Sequence, residues 1–157
     1  MFVDKRNEFC DALALNTGAA NTYVIGDQID LGVARDVGNG EPIYLTIVAT
    51  TGVNAASAGT VQFQLVTADN AALTTNPVVH LQSAAFVTST TTGAAGGTLA
   101  PGVNLFTAAL PRAGLDYKRY LGLRQVTGTA AITAGAVDAF LTRAPAAWRA
   151  YDAPFQA

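Results

Sequence analysis

The stretch Val61-Gln62-Phe63-Gln64-Leu65 alternates apolar and polar side chains within the longer segment from Thr60 to Thr67. Successive side chains of an extended chain point to opposite faces, so the three apolar residues share one face and the two glutamines share the other. Asp69-Asn70 follows, and both side chains favour a turn because they bond to nearby backbone. The pattern predicts a half-buried β-strand that ends in a turn.

Most of the chain reads as copies of this unit, a short strand followed by a turn of small residues. About eight such strands and no convincing long helix fit a sandwich, a jelly roll or a barrel. Two segments are less regular: residues 9–15 suit either an extended chain or one helical turn, and residues 88–97 suit a long flexible loop. The other predicted strands are 23–25, 29–31, 43–49, 78–87, 104–110, 117–126 and 135–142.

Composition limits the classes of protein to which the chain can belong. Its 157 residues suit one domain, and 13% charged residues is low against about 25% in typical soluble domains. This charge-poor composition suggests a surface partly covered by a partner. A net charge of −2 gives no reason to expect nucleic acid as a partner. No apolar run approaches the ~20 residues of a membrane span, so no membrane partner is expected.

The start of the chain and its single cysteine bear on location. The first eight residues lack the apolar core of a signal peptide, so we expect synthesis in the host cytoplasm without export by a standard leader. Cys10 is the only cysteine, which excludes an intrachain disulfide. We divide the chain into an N-terminal arm with the first short strand segments (1–28), a core (29–142) and a C-terminal arm (143–157).

Residues that could carry chemistry are few and scattered. His80 is the only histidine, so it is better explained as a strand residue with its own hydrogen bond than as a general base or metal ligand. Cys10 lies among apolar residues and reads as a small packed side chain. Gly38-Asn39-Gly40 precedes a strand rather than a helix, unlike a phosphate-binding loop. We therefore expect no enzyme activity, no cofactor and no metal.

Interaction is the remaining class of function. Trp, Tyr and Arg are enriched at interface hot spots, and the C-terminal arm combines all three, although Trp148 packing on its own domain is an equal alternative. The basic segment around Lys118 fits either an acidic partner or a solvated strand start. The candidate interface residues are Phe2, Lys118, Arg119, Arg143, Trp148, Arg149, Tyr151 and Phe155.

Segments spread from Ile29 to Thr142 resemble the capsid cement, or decoration, proteins of tailed bacteriophages. The resembling pieces include Ile29-Asp30-Leu31-Gly32, Gly40-Glu41-Pro42-Ile43-Tyr44-Leu45, Val61 to Thr67 with Asp69-Asn70-Ala71-Ala72-Leu73, Arg119 to Arg124, and Thr133-Ala134-Gly135 with Ala139 to Thr142. The resemblance implies a jelly-roll-like antiparallel β-sandwich with extended arms. It further implies a homotrimer on the outer capsid surface of the virion that bridges major capsid subunits, without cofactor or catalytic residues.

Two other functions stay open at this point. A carbohydrate-binding jelly-roll module would use Tyr23, Tyr44 and Trp148 as platforms for sugar rings. A glycoside hydrolase would need two of the scattered carboxylates to meet in space.

Overall fold

The computed structural model describes residues 5–34, 40–111, 114 and 116–145. Within these ranges the protein is all-β, as the sequence predicts, with a 3₁₀ turn as the helical element. The elements are the 3₁₀ turn Lys5–Asn7 and the strands β1 (Glu8–Ala14), β2 (Asn21–Asp30), β3 (Tyr44–Ala55), β4 (Gly59–Ala68), β5 (Val78–Gln82), β6 (Phe86–Thr88), β7 (Asn104–Ala109), β8 (Tyr120–Gly128) and β9 (Ile132–Thr142).

The strands form two antiparallel sheets packed as a sandwich. The four-stranded sheet has the order β1-β9-β3-β7, and the five-stranded sheet has the order β2-β8-β4-β5 with β6 also paired to β4. Pairing is nested: β1 with β9, β2 with β8, β3 with β7, and β4 with β5 and β6. A long antiparallel ribbon folded over in this way is a jelly roll, and it has eight strands when β5 and β6 count as one interrupted strand.

The stretch Val61 to Leu65 lies in β4, in the middle of the five-stranded sheet. Val61, Phe63 and Leu65 are at most 1% exposed and face the other sheet, while Gln62 and Gln64 are half-buried on the outer side. The predicted alternation of this strand is therefore confirmed. The main core lies between the two sheets, where β4 packs against residues such as Ile47, Leu123 and Val137.

Several strands are longer or more continuous than predicted. β3 runs on to Ala55, six residues beyond the predicted strand 43–49. Residues 21–30 form one strand with an irregularity between Ile25 and Ile29. Gly26 lies at this irregularity with φ +69°, and its backbone lies close to the carbonyl oxygen of Phe9. Residues 9–14 belong to a strand rather than a helical turn.

The strand predicted at 78–87 is interrupted at Ser83. The Ser83 N–H donates to the Phe63 carbonyl oxygen (2.9 Å), and the Phe63 N–H donates to Ser83 Oγ (3.0 Å). A side-chain oxygen thus replaces a backbone carbonyl at the break, so β4 keeps its hydrogen bonds where β5 ends and β6 has not begun. The break at Ser83 divides the predicted strand 78–87 into β5 and β6, so the described part of the structure has nine strands where about eight were expected.

The segment 88–103 is held by hydrogen bonds to β3, which corrects the prediction of a flexible loop at 88–97. The Gly93 N–H donates to Asn54 Oδ1 (2.8 Å), and Thr92 Oγ1 donates to the Val53 carbonyl oxygen (2.8 Å). Gly52 and Gly93 pass so closely that a Cβ on Gly52 would lie 1.9 Å from the Gly93 carbonyl oxygen. Two glycines therefore allow backbone to pack on backbone, and the segment extends the edge of β3.

Strands β1 and β2 lie in different sheets, each paired with one neighbouring strand. They are integral parts of the sandwich, although the sequence division placed residues 1–28 before the core. Of the two predicted terminal segments, 1–28 is described from Lys5 onward, whereas most of 143–157 lies outside the described residues, which end at Pro145.

Candidate interaction surface

The basic residues predicted at the start of β8 bind carboxylates of their own chain. Lys118 Nζ lies 2.7 Å from the Asn76 carbonyl oxygen and 3.4 Å from Asp69 Oδ2. Arg119 holds both carboxylate oxygens of Asp30, with Nε at 2.9 Å and Nη2 at 2.8 Å. These bonds fasten the start of β8 to the end of β2 and to the loop after β4.

These partners lower the pKa of both carboxyl groups. The hydrogen bond from Arg119, together with the Gly32 N–H, lowers the pKa of Asp30 to about 2. The side chain of Asn76, and then Lys118, lower the pKa of Asp69. Because the side chains of both pairs remain partly exposed to solvent, the pairs contribute modestly to stability.

The remaining predicted interface residues divide into two groups. Arg143 follows β9 and pairs with Glu41 at 3.1 Å, with both side chains about three-quarters exposed. The other five lie outside the described residues: Phe2, Trp148, Arg149, Tyr151 and Phe155. The structure therefore brings Lys118 and Arg119 together at the start of β8, while Arg143 follows a strand of the other sheet.

His80 has the hydrogen bond that the sequence reading assigned to it. Its Nε2 lies 2.7 Å from Thr67 Oγ1, and its ring stacks on Tyr117 with centroids 3.9 Å apart. Burial lowers the pKa of His80, which keeps the ring neutral near pH 7. This arrangement attaches the segment before β8 to β5.

Cys10 is the small packed side chain that the sequence predicts. It is 7% exposed, and burial raises the pKa of its thiol to about 12. A thiol with that pKa is not a nucleophile at neutral pH.

The described residues contain no group of three or more His, Cys, Asp or Glu side chains placed to hold a metal ion. Helices long and apolar enough to cross a membrane are also absent from this part of the chain.

The two described aromatic residues suggested as sugar platforms belong to different sheets. Tyr23 lies in β2, where its hydroxyl donates to the Ala19 carbonyl oxygen (2.6 Å) and its ring lies against Gly18. Tyr44 begins β3 in the four-stranded sheet. Since they are held on opposite layers of the sandwich, Tyr23 and Tyr44 do not form one platform.

The outer side of the five-stranded sheet is an open surface that the sequence reading did not single out. We call it the glutamine face. Its side chains follow from the strand register, because they alternate with the core residues of β4 and lie beside one another across β2, β8, β4, β5 and β6. They are Thr22, Val24, Thr60, Gln62, Gln64, Gln82, Val87, Arg124 and Val126.

The glutamine face is mostly uncharged, since it consists of three valines, five threonine or glutamine side chains and Arg124. Val24 is 41% exposed and Val87 is 65% exposed, which makes them two of the few large hydrophobic side chains exposed in the described part of the chain. Arg124 is the one ionisable residue in the set, and its guanidinium donates to the Leu73 carbonyl oxygen. Valines at outward positions of β2 and β6 were the sequence signal for this surface.

The segment 69–77 covers the neighbouring end of the same sheet. Leu73 is fully buried and lies over Gly122, where an added Cβ would come within 2.7 Å of Leu73 Cδ1. Asn70 shapes this segment, because its Oδ1 accepts from the N–H groups of Thr74 and Thr75, both at 2.9 Å. The glutamine face therefore ends where the segment 69–77 covers the sheet and does not extend over the whole sheet.

The chain matches the model of a known protein family over most of its length. The model of the Bbp16 family matches residues 9–141, from β1 to the last strand. The chain belongs to the Bbp16 family. The name of this family is of a phage type and is consistent with a phage protein. No curated protein matches the sequence significantly.

Proposed function

We propose that this member of the Bbp16 family is a non-enzymatic virion structural protein. In this proposal it binds the outer face of an assembled phage capsid and cements neighbouring major capsid subunits. Membership of a phage-associated family supports a virion role, and the resemblance of residues 29–142 to capsid cement proteins supports the more specific one.

The glutamine face is the observation that carries the proposal. A charged group buried at an interface without a partner costs several kcal/mol, whereas valine and half-buried glutamine lose little when another surface covers them. Interface cores are correspondingly depleted of charge. Gln62 already donates to the Ser83 carbonyl oxygen (2.8 Å) and Gln64 to Gln82 Oε1 (2.8 Å), so both amides keep a partner after docking.

Cementing follows from binding that depends on the assembled lattice. A protein that binds the assembled shell but not its free subunits stabilises the shell by mass action. Association of the cement protein into a trimer would add avidity, because three weak contacts then act together. A trimer is the state that we expect, and native mass measurement tests it.

Binding to undecorated phage heads tests the function directly. We expect saturable co-sedimentation of the purified protein with such heads, and greater resistance of the decorated heads to heat and chelators. Val87→Lys should weaken binding at least tenfold, since a charge would be buried in the contact. Val33→Lys is the matched control, because Val33 is 59% exposed in the loop after β2.

The results separate the parts of the proposal. Absence of co-sedimentation would refute the cement function. Equal binding by the Val87→Lys and Val33→Lys variants would retain a capsid role but remove the glutamine face from the contact.

A further inference from the structure

Among the edges of the two sheets, the edge formed by β7 is the least protected against pairing with another strand. β2 carries Asp27 and Asp30 and has an irregularity in its pairing, and β1 has two irregularities, with Ala12 at φ +45°. The edge formed by β5 and β6 is interrupted at Ser83. Charges, bulges and breaks of this kind keep an edge from accepting another strand. β7 has no charged residue, and its one irregularity lies near its start at Asn104.

The register of β7 shows which of its backbone groups are free. The Leu110 N–H donates to the Ile43 carbonyl oxygen (2.8 Å), so Leu110 is bonded to the chain that leads into β3. In an antiparallel ladder bonded and non-bonded pairs alternate, which makes Ala109 and Thr107 members of non-bonded pairs. Both residues therefore direct N–H and C=O away from β3. Among the described elements β7 pairs with β3 alone, so these groups have no strand beside them.

The free stretch of backbone has a defined end. Pro111 has no N–H, and its carbonyl oxygen accepts from the Tyr117 hydroxyl (3.1 Å). The Tyr117 ring stacks on His80 of β5, so the segment before β8 closes this end of the sandwich side. Thr107 and Ala109 lie before this closure, and both are exposed.

Partly exposed apolar side chains lie on the same side of the sandwich as this edge. The other side is closed where Gly26 of β2 meets the carbonyl oxygen of Phe9 in β1, and Phe9 is 1% exposed. The strand orders place β7 and the β5–β6 edge at the opposite side. The side chains of these edge strands that pack on the core there are only partly buried: Phe106, Leu81 and Phe86. We call these three residues the side strip.

The combination of free backbone and side strip specifies the chemistry of an occupant. An extended segment can bond to the free N–H and C=O groups of β7 as a new strand. Because successive side chains of a strand point to opposite faces, apolar residues at every second position would cover the side strip. In a second copy of this chain, Leu105 and Phe106 of β7 already pack on their own core and cannot fill the strip. The occupant that fits is therefore an extended segment that does not yet belong to a sheet.

The side strip is continuous with the glutamine face. Phe86 and Val87 are neighbours in β6, and Phe86 packs on the core while Val87 is exposed on the glutamine face. One partner can therefore contact both surfaces across β6.

We propose that β7 accepts an extended segment of a partner polypeptide as an added strand, whose apolar side chains cover Phe106, Leu81 and Phe86. The identity of the partner rests on the proposed function, which makes it a subunit of the major capsid protein. The added strand contributes hydrogen bonds between two backbones, and the glutamine face contributes a surface contact with the same shell.

Amide hydrogen exchange tests this inference without any substitution. In the free protein the outward N–H groups of Thr107 and Ala109 should exchange rapidly, because no strand protects them. When the purified protein has bound to undecorated phage heads, we expect exchange in β7 to slow at least tenfold. β1 is the control, because it forms the other edge of the same sheet and should exchange as in the free protein.

Substitution of one outward amide gives a second measurement. Thr107→Pro removes an N–H that points away from β3, and proline is tolerated on an edge strand at such a position. Thr107→Val is the matched control, because it also lacks the hydroxyl that bonds to Asn104 but keeps the N–H. We expect Thr107→Pro to bind heads at least tenfold more weakly than Thr107→Val. Ala109→Pro removes the next outward N–H and should have the same effect, so the test does not depend on the folding of one variant.

The outcomes separate this inference from the proposed function. Rapid exchange of β7 on heads that bind the protein, or equal binding by the Thr107→Pro and Thr107→Val variants, would overturn the inference and leave the capsid role intact. Protection of β7 that appears without heads and rises with protein concentration would assign the edge to a second copy and would also overturn it. Absence of co-sedimentation would refute the proposed function and, with it, the partner named here.

Discussion

The outer faces of the two sheets differ although their strands follow similar alternating patterns. On the five-stranded sheet, Gln62 and Gln64 are half-buried and Val87 is 65% exposed. On the four-stranded sheet, Thr46 is fully buried and Phe140 is 2% exposed. Both sheets contribute their inner residues to the same core, so the core does not cause the difference.

The difference shows what alternation determines and what it leaves to other segments. A period of two identifies the strands and the residues that face inward. Cover over the outward residues comes from segments distant in sequence, as Leu73 shows where it lies over Gly122. Burial of an outer face is thus a property of the connections as much as of the strands.

Removing a large ring from either side of the sandwich should have the largest effect. We expect Phe63→Ala and Phe140→Ala each to lower the free energy of unfolding by about 3–5 kcal/mol. Phe63 lies in the shared core and Phe140 on the covered outer face, yet both are at most 2% exposed. Urea unfolding followed by circular dichroism measures the two values.

Val87→Ala is the control for this comparison, because that side chain is exposed on the glutamine face. We expect it to change stability by no more than about 0.5 kcal/mol. A loss below about 1 kcal/mol for Phe140→Ala would show that its cover contributes little and would remove the contrast between the two outer faces.

A smaller effect is expected where the segment 69–77 covers the five-stranded sheet. Leu73→Ala should cost about 2–4 kcal/mol, because the side chain is fully buried. Gly122→Ala should cost about 1–3 kcal/mol, since the new Cβ would meet Leu73 Cδ1 at 2.7 Å and Gln28 Cγ at 3.1 Å.

The double variant tests whether these two residues fit each other. With Leu73 shortened to alanine, the methyl group of Gly122→Ala gains space, so the combined loss should be smaller than the sum of the single losses. If the two losses in the free energy of unfolding are additive in the same urea experiment, Leu73 and Gly122 act independently. The contact between them would then not define the edge of the glutamine face.

The sequence was sufficient for the fold class because each strand carries its own signal. Alternation identified β4 and its inward residues Val61, Phe63 and Leu65. It did not reveal the interruption at Ser83, which depends on a hydroxyl that replaces a backbone acceptor of Phe63. The firm attachment of 88–103 was also hidden, because the close approach of Gly52 and Gly93 joins segments 41 residues apart in the sequence.

The candidate site was less predictable for the same reason. Lys118 and Arg119 look like a free basic patch in the sequence, but their carboxylate partners Asp69 and Asp30 lie 49 and 89 residues earlier. Val24 and Val87 are exposed only because β2 and β6 place them outward on one sheet. Local pattern does not contain these pairings.

The smallest effect we predict distinguishes the two sheets by their response to acid. Burial lowers the pKa of His80 below the 6.5 of the unfolded chain, so the folded protein binds fewer protons there than the unfolded one. Its contribution to stability is therefore complete above pH 6.5 and is lost as the pH falls from that value through the lowered pKa.

Because His80 lies in β5 and stacks on Tyr117, the loss should begin at that edge of the five-stranded sheet. Amide exchange, expressed as protection factors, should show β5 weakening between pH 7 and pH 5 while β9 in the four-stranded sheet stays protected. His80→Gln keeps a group that can bond Thr67 but cannot take up a proton, so it should remove this pH dependence. Equal weakening of both sheets would show that the acid response is global, and no effect of the substitution would show that His80 is not its source.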